Sequence, residues 1–400
     1  MRILIVTPEP ASALKPRVFR FAKLLSTAHV VHIAYIDEIQ GRQVPTDIRV
    51  DGQNQLQEVG IETHQLRACW PLAIVPLLAN YMRGLPLRVG LYAQGKIRSQ
   101  VEQLVGKVRP DLIHVDRERA FPVVCHLRIP LVVDLTDPVG WYLEQRSRLT
   151  HPLLSELLRI EARRMWLYEG HIAKQVREIF FASEFGASRF KDRYPGAKVG
   201  VIPVPLPPPA TAASSSPLLP GGPPHICFFG NLYYPPNVQA ITDFVKNCWP
   251  EVRARLPTAT LHVAGSRPHS AITKLQRREG VYVHSNPVEM GSLLRGCDVA
   301  VAPLEVCAGF PNKIVDAVIT GGLPVVASSA AQAGLPPAAR DTLPTASEPR
   351  EWAEKISILW QRKDLRQDLV NKMRDALTST LNNELILSQL NTTYNCALSS

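Results

Sequence analysis

The stretch Val299–Ala327, VAVAPLEVCAGFPNKIVDAVITGGLPVVA, decides the reading of the chain. The apolar run Val299–Ala302 stops at Pro303, and a second, Pro324–Ala327, follows Gly321 and Gly322. The pattern is therefore strand, tight loop, helix, turn and strand. Gly309 removes a side chain where the backbone turns, and Pro311 suits the start of a helix. Free amide N–H groups there, near Gly309 and Phe310, would face an anion such as a phosphate. Lys313, Asp316 and Thr320 are spaced i, i+3 and i+7 on one face, with Ile314, Val315, Val318 and Ile319 on the buried one. This suits a nucleoside diphosphate, Lys313 meeting the phosphates and Asp316 the ribose hydroxyls. The plainer alternative is a solvated Lys313/Asp316 pair, worth about 0.2–0.5 kcal/mol.

Outward from this unit, strands are expected at Ile226–Phe229, Thr260–Ala264 and Val281–His284, with helices between them. Five such strands imply a doubly wound parallel sheet whose ligand crevice lies at the strands' carboxyl ends. The loops Gly230–Asn237, Gly265–Pro268, Ser285–Glu289 and Glu305–Lys313 would converge there. The first half reads the same way, with strands at Ile3–Thr7, His29–Ile36, Asp111–Val115 and Leu131–Leu135 and a helix at Arg17–Leu25. No G-x-G-x-x-G follows the first strand, which excludes a dinucleotide fingerprint. Arg17 and Arg20, one turn apart, either meet an anionic group or are plain surface arginines.

In VVDLTDPVGWY, Asp134 and Asp137 flank the end of the strand. Asp137 either serves an acceptor or caps the turn beside Pro138. Helical patterns span Pro152–Arg177 and Glu351–Cys396. In IFFASE, Ser183 and Glu184 are cleft residues, or Ser183 is a helix cap. Cys69–Val101 interleaves Trp70, Tyr81 and Tyr92 with Arg83, Arg88, Lys96 and Arg98, as in a membrane-facing amphipathic surface or a helix pair with a basic rim.

At 400 residues two domains are expected, and 46% hydrophobic with 20% charged residues excludes a disordered chain. Seven scattered cysteines without a C-x-x-C argue against a disulfide framework or zinc site and for a reducing cytoplasm. MRILIVTPEP is too short in its apolar run for a signal peptide, and no run of about 18 apolar residues spans a bilayer. The net charge is +10, and residues 1–205 hold 28 Lys and Arg against 20 Asp and Glu. That half suits an anionic partner such as a lipid headgroup, or is simply a solvated surface. No motif supports nucleic acid.

The segment PLEVCAGFPNKIVDAVITGGLPVVA resembles the donor site of GT-B glycosyltransferases of the family 4 group. That family's signature is Glu, seven residues, Glu. Here Asp316 stands for the second and Ala308 for the first, with Glu305 nearby but out of register. FGNLYYPPN is similar to the Gly-x-x-x-Tyr-x-Pro-Asn loop of the branch lacking the first Glu. Asn231 replaces the usual Arg and Pro236-Asn237 the usual Lys, so Lys313 and Arg267 are the cations left for the diphosphate. Thr136 aligns with the family's histidine.

The resemblance implies a GT-B, α/β fold of two Rossmann-like doubly wound domains facing a cleft. Residues 1–203 would bind the acceptor, 204–224 form a Pro-rich linker, 225–380 bind the donor, and 381–400 form a helix crossing back. It implies sugar transfer from a UDP-, GDP- or dTDP-sugar to a glycan, lipid-linked or small-molecule hydroxyl, with retention and with no metal or cofactor, in the cytoplasm and peripheral to the membrane's inner face. Asp137 and Lys313 would be catalytic; Gly230, Asn231, Asn237, Arg267, Glu289, Gly309, Phe310 and Asp316 would bind the donor. Arg17, Asp134 and Thr136 would lie on the acceptor side. The alternative is a catalytically silent GT-B-like protein that binds sugar or partners a transferase.

Overall fold

A computed structural model describes residues 1–12, 16–36, 46–68, 74–207, 218–287, 289–307 and 309–399. Ala308, Trp70 and the linker's middle, 208–217, lie outside these. The chain divides into two compact units: Met1–Pro205 with Asn382–Ser400, and Leu206–Leu381.

The first unit is a seven-stranded parallel sheet of β1 (Arg2–Thr7), β2 (Val30–Ile36), β3 (Glu62–Leu66), β4 (Leu112–Asp116), β5 (Leu131–Thr136), β6 (Glu178–Phe181) and β7 (Val199–Val201). Its order is β3-β2-β1-β4-β5-β6-β7. Alternation sends Ile3 and Ile5 to one face, with Phe21, Phe180 and Tyr394, and Leu4 and Val6 to the other, with Leu104, Val115 and Phe181. The helix Asn383–Leu398 belongs to this unit, burying Ile386, Leu390 and Tyr394, and His114 Nδ1 lies 2.7 Å from the Tyr394 hydroxyl.

The second unit is a five-stranded parallel sheet of β8 (His225–Asn231), β9 (Thr260–Ser266), β10 (Val281–Ser285), β11 (Val299–Ala302) and β12 (Val325–Ala327), in the order β10-β9-β8-β11-β12. Its core gathers Ile226, Phe228, Leu261, Val263, Val299, Val301 and Val326 with Trp352 and Ile356. In both sheets the strand order reverses beside the first strand, at β1/β4 and at β8/β11, and such switch points open a crevice at the carboxyl ends.

Two strands of the first unit, β3 and β7, go beyond those expected, while β6 is the strand that ends in the IFFASE sequence. ETHQL is too polar to read as an apolar strand, and Val199-Gly-Val is too short. The helical stretch Glu351–Cys396 is three helices, Pro349–Gln361, Lys363–Thr380 and Asn383–Leu398, broken at Arg362 and Leu381.

Candidate functional site

In the second unit the switch point is built from glycines and amides. Gly265 closes β9 with φ +157°, and a Cβ on it would lie 1.8 Å from the Gly230 carbonyl oxygen. Only glycine lets the two strand ends approach so closely. Asn231 Oδ1 accepts from Tyr233 N (2.9 Å), fixing the turn out of β8. Asn237, in the first turn of the helix Pro235–Asp243, donates its Nδ2 to Asn231 O (2.9 Å) and accepts from Lys313 Nζ (2.8 Å) on its Oδ1. Lys313 Nζ also lies 4.2 Å from the centre of the Phe228 ring. Gly230, Asn231, Asn237 and Lys313 are thereby brought together, and Lys313 turns to the amide and the ring in preference to Asp316.

Among the described residues no carboxylate pairs with this lysine. Burial pushes its pKa down to about 7, with Cys307 pulling the other way. An anion placed beside it would restore its proton. The helix Asn312–Ile319 buries Ile314, Val315, Ala317 and Val318; Ile319 is only half-buried, and Ala317 takes the place it was expected to fill. Pro311 carries no N–H, and the amide of Asn312 donates to Phe310 O (2.9 Å), so neither serves an anion. The Phe310 side chain is buried packing.

Arg267, with φ +53°, lies over the Tyr233 ring at 4.9 Å, and its N–H donates to Asn286 Oδ1 (3.0 Å). It therefore borders the same loop as Asn231. Glu289 stands exposed at the N-cap position of the helix Met290–Arg295 and makes no capping bond there. Two groups carried no signal in the sequence: Ser266 Oγ and Asn312 Oδ1 are buried without a hydrogen-bond partner. Only the closure of the strand ends marks them.

The first unit's strand ends are ionic. Arg17 is not a surface arginine: it is buried, its Nε 2.5 Å from Asp134 Oδ2 and its Nη2 donating to Asp134 Oδ1 (3.1 Å) and Ile202 O (2.8 Å), while its Nη1 is buried without a partner. Asp134 Oδ1 also accepts from Thr136 N (2.8 Å), so this carboxylate is consumed within the fold and is not open to an acceptor. Around it Arg119 pairs with Glu9 (3.0 Å), Arg88 with Glu118 (3.2 Å), and Thr7 Oγ1 donates to Asp116 Oδ2 (2.8 Å).

Thr136 and Arg117, each at the end of a strand, have φ of +63° and +66°, and the β5/β6 register shifts between Asp134 and Thr136. A β-branched residue in that region is strained, and bulges and strain gather at functional sites. The kink delivers Asp137. It caps nothing: the N–H groups of Val139 and Gly140, opening the helix Val139–Arg148, donate to Glu169 Oε1 (2.7 Å) and Oε2 (3.3 Å). Ser183, by contrast, is a helix cap, accepting from Gly186 N (3.1 Å). Asp137 Oδ1 is buried without a partner, and burial, against the pull of Arg117 and Arg17, raises its pKa to about 6.

Two doubly wound parallel-sheet units in one chain are the architecture of the GT-B class of α/β folds. Residues 223–362 match the family model described as Glycosyl transferases group 1. Over its whole length the chain is similar to HepE of Anabaena in complex with UDP and glucose, at 15% identity, 99% of each chain and a TM-score of 0.68. It is likewise similar to sucrose-phosphate synthase from Thermosynechococcus elongatus, at 15% identity, 100% of this chain, 99% of that one and a TM-score of 0.71. WaaG, a glycosyltransferase involved in lipopolysaccharide biosynthesis, aligns at 12% identity over 98% of each chain, with a TM-score of 0.62. At these identities the likeness establishes the fold. No curated protein matches the chain.

Proposed function

We propose that this protein is a glycosyltransferase moving a sugar from a nucleoside diphosphate sugar to an acceptor hydroxyl, with retention and without a metal. The observation that carries the reading is Lys313, a part-buried amine without a counter-ion among the described residues, tied to the β8 loop inside the stretch matching Glycosyl transferases group 1. The donor's diphosphate supplies the missing charge, and the reprotonated lysine stabilises it as it leaves, the kind of electrostatic contribution that usually dominates such catalysis. Arg267 is the second cation, the Gly309 and Phe310 amides face the phosphates, Asp316 holds the ribose and the Glu289 loop the base. In the first unit Asp137 orients the acceptor hydroxyl or takes its proton.

The acceptor reading includes a lipid-linked glycan. The helix Ile74–Met82 leaves Ile74, Val75, Leu78 and Met82 exposed, and Pro152–Gln175 leaves Leu153, Leu157 and Ile160 exposed, with Arg83, Arg159 and Arg163 exposed nearby in the chain. Arg164 joins the two helices, stacked 3.5 Å over Tyr81. Apolar side chains with a basic rim suit the surface of an anionic bilayer. Among the described residues no helix is long and apolar enough to cross one.

The test is a thermal-shift panel with UDP, GDP, dTDP, ADP and their sugars. One nucleotide at 100 times its Kd stabilises by about 2.7 kcal/mol, and Lys313→Ala abolishes that shift while the protein stays folded. No shift with any nucleotide would favour a silent GT-B-like protein.

A further inference from the structure

At the amino end of the first sheet, away from Asp137, three side chains converge on one face. His32 on β2 sits directly across from Glu62 on β3, and His64 lies two residues further along β3. His32 Nδ1 is 3.3 Å from His64 Nε2 and 3.5 Å from Glu62 Oε2, and His64 Nε2 is 3.8 Å from that oxygen. A circle through the three atoms has a radius of about 2.1 Å, the length of a zinc–nitrogen or zinc–oxygen bond. Among the described residues this is the one group of three such side chains whose ligand atoms all lie within 4.8 Å of one another. The imidazoles are mostly covered (14% and 18% exposed side chains), and Glu62, at 67%, keeps the fourth side open to solvent.

We infer that His32, His64 and Glu62 form a site for one divalent transition-metal ion of the zinc class, clamping the polar edge strand β3 to β2. Two imidazoles and a carboxylate with an open fourth position are a familiar donor set for that ion. Burial holds both imidazoles below their ordinary pKa, so at neutral pH they present the unprotonated nitrogens that a metal requires. Lys107, from the helix Gly95–Val108, lowers both further, and Arg2 of β1 lowers His32; Glu62 alone opposes them. Those two cations repel an arriving metal ion, so the carboxylate is needed to admit it.

The second sheet supplies the control. His262 on β9 and His284 on β10 hold the same register and meet through the same atoms, Nδ1 and Nε2, at 3.0 Å. There Tyr282 takes the place of Glu62, stacked on His262, and His225 occupies the other nitrogen of His262 at 3.0 Å. That arrangement is a hydrogen-bonded row whose atoms do not converge on one point.

The experiment titrates chelator-stripped full-length protein with Zn²⁺ against a chromophoric competitor and follows the melting temperature. Bound Co²⁺ is read separately by the visible bands of a tetrahedral site. The expected result is one ion per chain, a raised melting temperature, and affinity weakened about tenfold or more by Glu62→Gln and His64→Ala. His284→Ala leaves binding unchanged, and Lys107→Ala tightens it. Glu62 is exposed, so Glu62→Gln decides the matter even where His64→Ala fails to fold. No bound ion, or binding that survives Glu62→Gln, overturns the inference.

Discussion

The carboxyl ends of the two sheets share a topology and are filled in opposite ways. In the first unit they hold a lattice of buried and part-buried ion pairs, Arg17 with Asp134, Arg119 with Glu9 and Arg88 with Glu118, and two carboxylates that make no ion pair among the described residues: Glu169, held by the amides of Val139 and Gly140, and Asp137, whose Oδ1 has no partner. In the second they hold glycines and neutral amides around one lysine. Burial disfavours the charged forms of Asp137 and Lys313, so the carboxyl moves up to about 6 and the amine down to about 7. The same desolvation thus brings an acid and a base from opposite ends of the scale toward neutral pH, where each can exchange a proton with a ligand. Crowded charge in one unit and its scarcity in the other are two routes to a polar group that a ligand can engage.

The comparison breaks first at Asp137. With a donor found by the nucleotide panel, Asp137→Asn is expected to lower kcat by about 10²–10⁴-fold while the nucleotide thermal shift is retained. The wild-type rate should fall as pH drops through about 6, where Asp137 takes up its proton. Full turnover in the variant would leave the first unit's carboxylate without a role.

Next in size is the lattice itself. Arg17→Leu strands Asp134 as a buried charge, and urea unfolding should show a loss of about 3–5 kcal/mol. Lys313→Ala in the second unit should do the reverse. A lysine whose folded pKa lies below its unfolded one binds fewer protons when folded, so wild-type stability rises with pH between about 7 and 10.5. The variant's advantage is therefore largest at and below pH 7 and fades above 10.5. Unfolding curves at about pH 6.5 and about pH 11, on either side of that window, would settle the sign.

The smallest effect is expected at Thr136. Thr136→Gly relieves about 1–2 kcal/mol of left-handed strain, offset by glycine's backbone entropy and the lost hydroxyl contact to Asp134, so net stability should move by under about 1 kcal/mol. Turnover should still fall, because the kink that aims Asp137 becomes soft. Unchanged turnover would separate the strained turn from the chemistry.

Much of the fold was legible because the cues are local. Apolar runs bounded by polar residues, Pro or Gly mark β1, β2, β4, β5 and the five strands of the second unit to within a residue or two at most ends. The i, i+3, i+4 spacing places most of the buried face of Asn312–Ile319 and the extent of the helix Pro152–Gln175, though Leu153, Leu157, Ile160 and Leu167 of that helix are exposed. The site was legible only in part. Lys313 and Asn237 stand in one helix turn each, but their contact spans 76 positions of chain. The reading of Arg17 as a surface residue failed because its partner lies 117 positions away. Asp137 escaped its capping role only because Glu169 reaches over from another helix.

The sequence by itself determined two α/β units, the strand-loop-helix at Val299–Ala327 and the residue types available for an anion, since periodicity and the φ/ψ limits of Gly and Pro act within a few residues. Which charges neutralise one another, which amide receives the lysine and which histidines face each other were decided only by the tertiary structure. Those pairings depend on the register between strands 22 or more residues apart in the chain, and a shift of one residue turns every side chain to the opposite face.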